Sequence, residues 1–526
     1  MSESAPSQLL ASRLLAGLVS AGVEKIYVAP GSRSQALAIA AKQLADAEMV
    51  DLHVRIDERS LAFMALGSAL ASQTPVVVIT TSGTAVANLH PALLEASHSG
   101  VPLILLTADR PHELRGVGAN QTTNQNNIYG GAVRASFDLL APELDSFHDS
   151  QVDELVKSAI EAATGSLGTQ PGPVQINLAF REPLSSLTPN AAHIKVDIQI
   201  DHRNPTPEFA VLDSTIPTVV IAGADATPDA TELAESFGWP LLAEPSSGAR
   251  FGSNCIVAYR QILERVPDLA SRIGRVIVFG KPTLSRAVTR LFFNQDVDVI
   301  VVRSRTMGHF DVSRRASAFV DEITVDREVD FEWLREWQLA DNQIRLSASV
   351  DGHLTRREIV EALWEVSDYE DTLVLGASRM IREAEAWAPA KPIDVFSNRG
   401  LAGIDGTIAT ATGIALTGKP QTRALMGDLT LLHDAGSLAV APETENINLQ
   451  IVVVNDHGGT IFDGLEMAKT LDRVSFEQLF RTAQNVNIAA LAAAYGWLHI
   501  PVHSEDELRK ALTQSGRVII EVFIED

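Results

Sequence analysis

The sequence predicts an α/β protein of three successive blocks, each a mostly parallel sheet flanked by helices. Short β-rich runs alternate with alanine-rich helical spacing from Gln8 to about position 185, and the same alternation returns from Asp351 to the end of the chain. A smaller stretch of the same kind, with a different rhythm, lies between them. At 526 residues, 46% hydrophobic and 21% charged, the chain has the length of about three to four globular domains and can bury several cores. The block bounds are placed at 1–185, 186–350 and 351–526.

The first block opens with helical spacing over Leu9, Leu10, Leu14 and Leu18, followed by strands at 25–29, 52–56, 76–80 and 103–107 and a last strand at 174–178 that closes it. Pro183, Pro189, Pro205 and Pro207 punctuate a polar connector, read as the first interdomain linker. The middle block, from Pro217 to Asp326, has strands at 219–222, 276–279 and 297–302. Its turns, Gly223-Ala224-Asp225 and Gly280-Lys281-Pro282, do not spell the dinucleotide fingerprint, so a scaffold role is expected. The arginine-rich segment 303–315 reads as solvated surface. A helical connector with Trp333 and Trp337 leads to the third block, whose strands are expected at 372–375, 393–396, 422–426, 449–454 and 518–523.

Composition narrows the function. A formal net charge of −24 repels nucleic acid and anionic membranes, so an anionic substrate needs a local cluster of arginines working against the global field. The single cysteine, Cys255, excludes an intrachain disulfide and any cysteine-based metal motif. The first seven residues lack a basic segment leading into an apolar one, and no apolar run approaches the roughly 18 residues of a membrane helix. A cytoplasmic enzyme with no membrane span is expected.

The chemistry concentrates in residues 425–462, where two strands each end in a carboxylate, Asp428 after one and Asp456 after the other. Neighbouring parallel strands present their C-terminal ends on one edge, where open α/β sheets bind ligands. Two oxygen ligands there, beside the small residues Gly458 and Gly459, suit a hard cation that keeps a phosphate as partner. Alone, Gly427-Asp428 after a strand is most simply a helix cap. The Asn-Asp-His-Gly-Gly that follows, one helix and one strand later, turns the pair into a magnesium-diphosphate clamp in outline. Asp57-Glu58-Arg59, at the end of a first-block strand, is by itself an acidic pair favoured by a helix dipole.

These motifs resemble the thiamine diphosphate-dependent enzymes. Within that group the chain is similar to the MenD family, the 2-succinyl-5-enolpyruvyl-6-hydroxy-3-cyclohexene-1-carboxylate synthases of menaquinone (vitamin K2) biosynthesis. The likeness is carried by APGSRS at 29–34, DER at 57–59, TSGTAVANLHPALLEA at 81–96, LTADRP at 106–111, GANQT at 118–122, SNRG at 397–400, GIDG at 403–406, GDL at 427–429 and NDHGGTIF at 455–462. It implies the three-domain thiamine diphosphate-binding fold: a pyrimidine-binding domain, a central domain and a diphosphate-binding domain. It also implies a transferase that decarboxylates 2-oxoglutarate and adds the succinyl carbanion equivalent to isochorismate in conjugate fashion.

The resemblance assigns residues as well. Glu58 is the catalytic carboxyl that faces the cofactor's pyrimidine ring. Asp428, Asp456 and the Gly458 carbonyl are the ligands of Mg2+ or Mn2+. Thr81, Gly427, Leu429, Gly459, Thr460 and Ile461 complete the cofactor site, with backbone N–H groups from Gly459 onward receiving the diphosphate, and Ile404 is the apolar wedge that bends the cofactor. Ser378, Arg382 and Arg399 hold the 2-oxoglutarate part, and Ser32, Arg33, Arg110 and Arg286 serve isochorismate, since arginine's planar fork accepts a carboxylate in bidentate fashion. Asn120, Gln121 and Phe462 line the reacting centre. In this family the site forms across subunits, so a homodimer or homotetramer is expected.

The chain departs from the wider pattern at two places. Asp456 stands where paired asparagines are usual, adding a negative charge beside the diphosphate, and Leu429 replaces a glycine, as in MenD-like sequences. The rival readings are a carboligase or decarboxylase of acetolactate synthase type, which has little use for the arginine set, and a non-catalytic binding protein on the same fold.

Overall fold

Six strands form the first sheet: β1 (Lys25–Val28), β2 (Asp51–Val54), β3 (Val76–Thr80), β4 (Leu103–Asp109), β5 (Ala135–Leu139) and β6 (Val174–Ala179), in the order β2-β1-β3-β4-β6-β5 with every pairing parallel. The computed structural model describes residues 5–143, 148–203, 206–304, 308, 310–326, 331–347, 354–439, 441 and 446–524. Alternation along the strands explains how the sheet is buried on both faces. Ile26, Val28, Val77, Ile79, Ile104 and Leu106 enter one core, while Tyr27, Val76, Val78, Leu103 and Leu105 enter the other.

The strand at 174–178 is the last of this block along the chain, as expected, but it is not the edge of the sheet. β5, absent from the sequence expectation, lies outside β6, and its alternately half-buried and exposed residues give no continuous apolar run. The proline-punctuated connector is packed rather than free. Ser7 Oγ donates to Arg181 O at 3.0 Å, Ser12 Oγ to Pro189 O at 3.2 Å, and Ile198 joins the core of the first sheet.

The middle block holds β7 (Phe209–Leu212), β8 (Thr218–Ala222), β9 (Leu241–Ala243), β10 (Arg275–Phe279), β11 (Asp298–Val302), β12 (Ala318–Val320) and β13 (Glu322–Val325). Five of them form a parallel sheet in the order β12-β11-β10-β8-β9, and β13 and β7 form a separate parallel pair. The Trp333 and Trp337 connector is the helix Glu332–Ser347; Trp337 is fully buried in this block's core, and Trp333 Nε1 donates to Thr218 O at 2.9 Å. Arg303 of the arginine-rich segment pairs with Glu208 and Asp321 at 2.9 and 2.8 Å, as a surface charge would. Residues 305–307 and 309 of that segment, the first four residues, Pro205 and the 350/351 bound lie outside the described residues.

The third sheet comprises β14 (Thr372–Leu375), β15 (Asp394–Phe396), β16 (Thr422–Gly427), β17 (Leu449–Asn455), β18 (Leu498–Val502) and β19 (Arg517–Phe523), parallel throughout in the order β15-β14-β16-β17-β19-β18. Among the described residues no helix is long and apolar enough to cross a membrane.

The chain divides into two compact units. One takes 1–205 with 408–417 and 436–445, the other 206–407 with 418–435 and 446–526. In the first unit, the helix Glu58–Ser72 crosses the helix Thr407–Ala415 at glycines. A Cβ on Gly67 would stand 2.1 Å from Thr410 O, and one on Gly413 would stand 1.9 Å from Met64 O, so the two backbones touch. Ser68 Oγ donates to Gly413 O at 2.7 Å across the crossing.

Candidate active site

In the second unit, β16 and β17 are parallel neighbours with Gly427 paired to Val454, so their C-terminal ends bring Asp428 and Asp456 to one edge. Asp428 opens the helix Asp428–His433 and is 5% exposed. Its Oδ1 accepts from Leu429 N–H at 2.8 Å and its Oδ2 from Gly458 N–H at 2.9 Å. Burial, opposed by the Leu429 N–H and reinforced by the charge of Asp456, pushes the Asp428 carboxyl up to about 6. Asp456 Oδ2 accepts from Arg356 Nη2 at 2.8 Å and from Thr460 Oγ1 at 2.6 Å. Gly458 has φ +121°, and a Cβ there would meet Arg481 O at 2.4 Å, so only glycine suits this turn.

These residues line a narrow cleft of about 40 Å3, with Ser378, Arg379 and Ile461 on its walls. The available donors are oxygens, and a divalent cation between the carboxylates would offset both the burial and the repulsion by Asp456 that raise Asp428. The residues fit a hard cation bound with a diphosphate. Among the described residues no group of three or more His, Cys, Asp or Glu side chains could hold a metal ion by itself.

Two of the N–H groups expected to receive the diphosphate have partners within the chain: Gly459 N–H donates to Arg481 O at 2.7 Å and Thr460 N–H to Gly458 O at 2.9 Å. The cause is local: the 3-10 turn Thr460–Gly464 folds back on residues 477–481, where Phe462 packs edge-on against Phe480 at 5.6 Å.

The same unit gathers the arginines expected to serve substrate. Ser378 has φ +83°, an uncommon conformation for a residue with a side chain, and caps the helix Arg379–Trp387; Arg382 Nη1 donates to its carbonyl at 2.6 Å. Arg399 is 5% exposed, donates through Nη2 to Thr283 Oγ1 at 2.5 Å, and keeps a buried Nε with no acceptor among the described residues. Burial, followed by the nearby charges of Arg399, Arg260 and Arg286, lowers the pKa of Arg382 from its ordinary value, against the pull of Glu385. Arg286 begins the helix Arg286–Phe293 and is exposed. Ile404 is half-buried rather than a core residue, and its carbonyl accepts from Thr407 Oγ1 at 3.1 Å.

Behind this cluster stand groups the sequence did not reveal. Glu244 Oε1 accepts the N–H groups of Thr283 and Leu284 at 2.6 and 2.7 Å. Burial and the neighbouring Glu385 push its carboxyl up to about 8, so it is a neutral acid at pH 7. Tyr259 OH donates to Glu385 Oε1 at 2.8 Å.

In the first unit the expected residues also stand at strand ends. Arg33, after β1, is 6% exposed; Nη1 donates to Phe180 O at 2.9 Å, and its buried Nε has no acceptor among the described residues. Ser32 is exposed. Glu58, after β2, is the first residue of its helix, while the capping is done by Asp57, which accepts from Arg59 N–H at 2.9 Å. The half-buried Glu58 carboxyl has no hydrogen-bond or ion-pair partner among the described residues. Thr81, after β3, packs so closely on Gly31 that a Cβ on that glycine would stand 2.2 Å from it. Arg110, after β4, donates its backbone N–H to the buried Asp109 at 2.7 Å and leaves a buried Nε without an acceptor among the described residues. Gln121 is fixed to Ser82 by two hydrogen bonds, 3.0 and 2.8 Å, and Asn120 beside it is exposed.

Comparison with known proteins agrees with both edges. Residues 10–128 match the family model "Thiamine pyrophosphate enzyme, N-terminal TPP binding domain", and residues 376–522 match its C-terminal counterpart. The chain is 43% identical to the 2-succinyl-5-enolpyruvyl-6-hydroxy-3-cyclohexene-1-carboxylate synthase of Leifsonia xyli subsp. xyli, covering 99% of this chain and 97% of the relative. It is 44% identical to the protein of that name from Kineococcus radiotolerans over 97% and 94% of the two chains, and 37% identical to that of Saccharopolyspora erythraea over 98% and 95%.

Proposed function

The chain belongs to the 2-succinyl-5-enolpyruvyl-6-hydroxy-3-cyclohexene-1-carboxylate synthase family of thiamine diphosphate enzymes, and from that premise we propose that it performs this transfer in menaquinone biosynthesis. 2-Oxoglutarate loses CO2 and its succinyl unit adds to isochorismate. The observation that carries the reading is the pair Asp428 and Asp456, ending adjacent parallel strands beside a turn only glycine can make.

Bound thiamine diphosphate supplies the nucleophilic carbon and the electron sink for decarboxylation. Asp428, Asp456 and the Gly458 carbonyl would hold Mg2+ or Mn2+, with Gly427, Leu429, Gly459, Thr460 and Ile461 around the diphosphate. Glu58, half-buried and without a partner among the described residues, would share a proton with the pyrimidine ring nitrogen, with Thr81 beside the ring and Ile404 under its bend. Ser378, Arg382 and Arg399 would orient 2-oxoglutarate, and Ser32, Arg33, Arg110 and Arg286 would orient isochorismate. Asn120, Gln121 and Phe462 would exclude water from the reacting centre.

The proposal includes a cytoplasmic homodimer, or a homotetramer built from it, in which Glu58 of one subunit serves the diphosphate clamp of another. Single Cys255 is in keeping with a reducing compartment. Mixing inactive Glu58→Gln and Asp428→Ala proteins then restores about a quarter of the wild-type sites; no recovery after subunit exchange would refute the shared site.

The decisive assay supplies thiamine diphosphate, Mg2+, 2-oxoglutarate and isochorismate, and identifies the product by mass. An adduct of both acids with release of CO2 is expected. Decarboxylation without the adduct would remove isochorismate as acceptor, and turnover of pyruvate would favour an acetolactate synthase type.

A further inference from the structure

Asp456 is the place where this chain puts a carboxylate in an amide's position, and the structure shows what accompanies the extra charge. Arg356, from a helix a hundred positions earlier in the chain, sets Nη2 2.8 Å from Asp456 Oδ2. The two side chains are only 10% and 8% exposed. Thr460 Oγ1 converges on the same oxygen at 2.6 Å, so that among the described residues both partners fall on Oδ2 and none on Oδ1.

The root of Arg356 is fixed. It is the first residue of the helix Arg356–Val366, whose start is closed by a reciprocal capping box: Glu358 N–H donates to Thr355 Oγ1 at 3.3 Å, and Thr355 N–H donates to Glu358 Oε2 at 2.8 Å. On the same first turn, Arg357 stacks its guanidinium over Trp387 at 4.6 Å. The guanidinium of Arg356 is therefore held at the cleft by a helix end that cannot easily turn away.

Two carboxylates and a diphosphate in one narrow cleft repel each other strongly where water is scarce. We propose that Arg356 is the charge-compensating and positioning residue of the diphosphate clamp. It cancels the charge that Asp456 adds, so that Asp456 offers the cation a single oriented oxygen, as an asparagine amide would. The inference rests on the reading of the cleft as a metal-diphosphate site, and it concerns cofactor affinity rather than the chemical step.

The test is calorimetric titration of the full-length protein with thiamine diphosphate, with and without Mg2+, alongside thermal melts of the cofactor-free variants. Arg356→Met is expected to weaken cofactor binding and to raise the half-saturating Mg2+ concentration by about tenfold or more. Adding Asp456→Asn to that variant is expected to restore both values to within about threefold of wild type, because the uncompensated charge is gone. Arg356→Lys keeps the charge without the planar fork, and its loss is expected to stay within about threefold. Unchanged binding in Arg356→Met, equal weakness in the double variant, or a loss in Arg356→Lys as large as in Arg356→Met would each overturn the compensation. Failure of the wild-type protein to bind thiamine diphosphate with Mg2+ would instead overturn the underlying reading, and the proposal with it.

Discussion

The first and third sheets follow the same path. Numbered from the start of each block, both run second, first, third, fourth, sixth, fifth strand, all parallel. Their C-terminal edges nevertheless carry different chemistry. After the second strand stands Glu58 in one and Arg399 in the other; after the third, Thr81 against Asp428; after the fourth, Arg110 against Asp456. The fold thus supplies a row of equivalent positions, and single residues at strand ends decide whether an edge presents paired carboxylates or a single acid. Even the backbone strain is distributed differently. The φ of +83° that Gly83 adopts without cost before its helix is imposed on Ser378, a residue with a side chain, in the third sheet.

If the third edge holds the cofactor and the first activates it, two variants should separate them. Asp428→Ala should abolish thiamine diphosphate binding in calorimetry and lower turnover by about 10⁴-fold or more. Glu58→Gln should lower turnover by about 10³-fold while leaving cofactor affinity within about threefold. Near-normal turnover in the second variant would end the division of labour. The next effect is structural. Gly413→Ala should cost on the order of 3 kcal/mol in chemical denaturation, since the added methyl meets the Met64 carbonyl; an unchanged midpoint would show that the helix crossing can relax.

The arginines sharpen the comparison further. Arg399→Met should raise the KM for 2-oxoglutarate by about thirtyfold and spare isochorismate, and Arg33→Met should do the reverse. A swapped pattern in steady-state kinetics would exchange the two substrate ends. The smallest effect concerns Glu244, whose folded pKa of about 8 lies above its unfolded value. Its protonated form favours folding fully below the unfolded carboxyl pKa, and that stability is lost as pH rises through about 8. Glu244→Gln should therefore gain on the order of 2 kcal/mol relative to wild type at pH 8 and little at pH 5. Melting curves with no pH-dependent difference would contradict the neutral acid.

The central strands of all three blocks were legible because parallel sheets buried on both faces write continuous apolar runs, as in Val76–Thr80 and Leu449–Asn455. The edge strands β5 and β18 were not, since half of each faces outward, and β7, β9, β12 and β13 are only three or four residues long. The paired carboxylates could be read because each follows a strand directly, and Glu58 because it opens the helix after one. Arg356, Thr283, Glu244 and Glu385 could not, because their importance comes from tertiary contacts with distant segments. The engagement of Gly459 N–H depends on residues 477–481 folding back, which no local motif records.

The glycine crossing also constrains how the protein is made. The helix that begins at Glu58 is packed, backbone to backbone, against a helix that leaves the ribosome some three hundred and fifty residues later. The amino-terminal unit cannot finish folding during its own synthesis, because residues 408–417 and 436–445 belong to it. Until they emerge, Gly67 and the apolar surface around it have no partner, and a fragment cut at the first connector would lack part of its own interior. Synthesis past residue 445 is thus a condition for setting the helix that begins at Glu58.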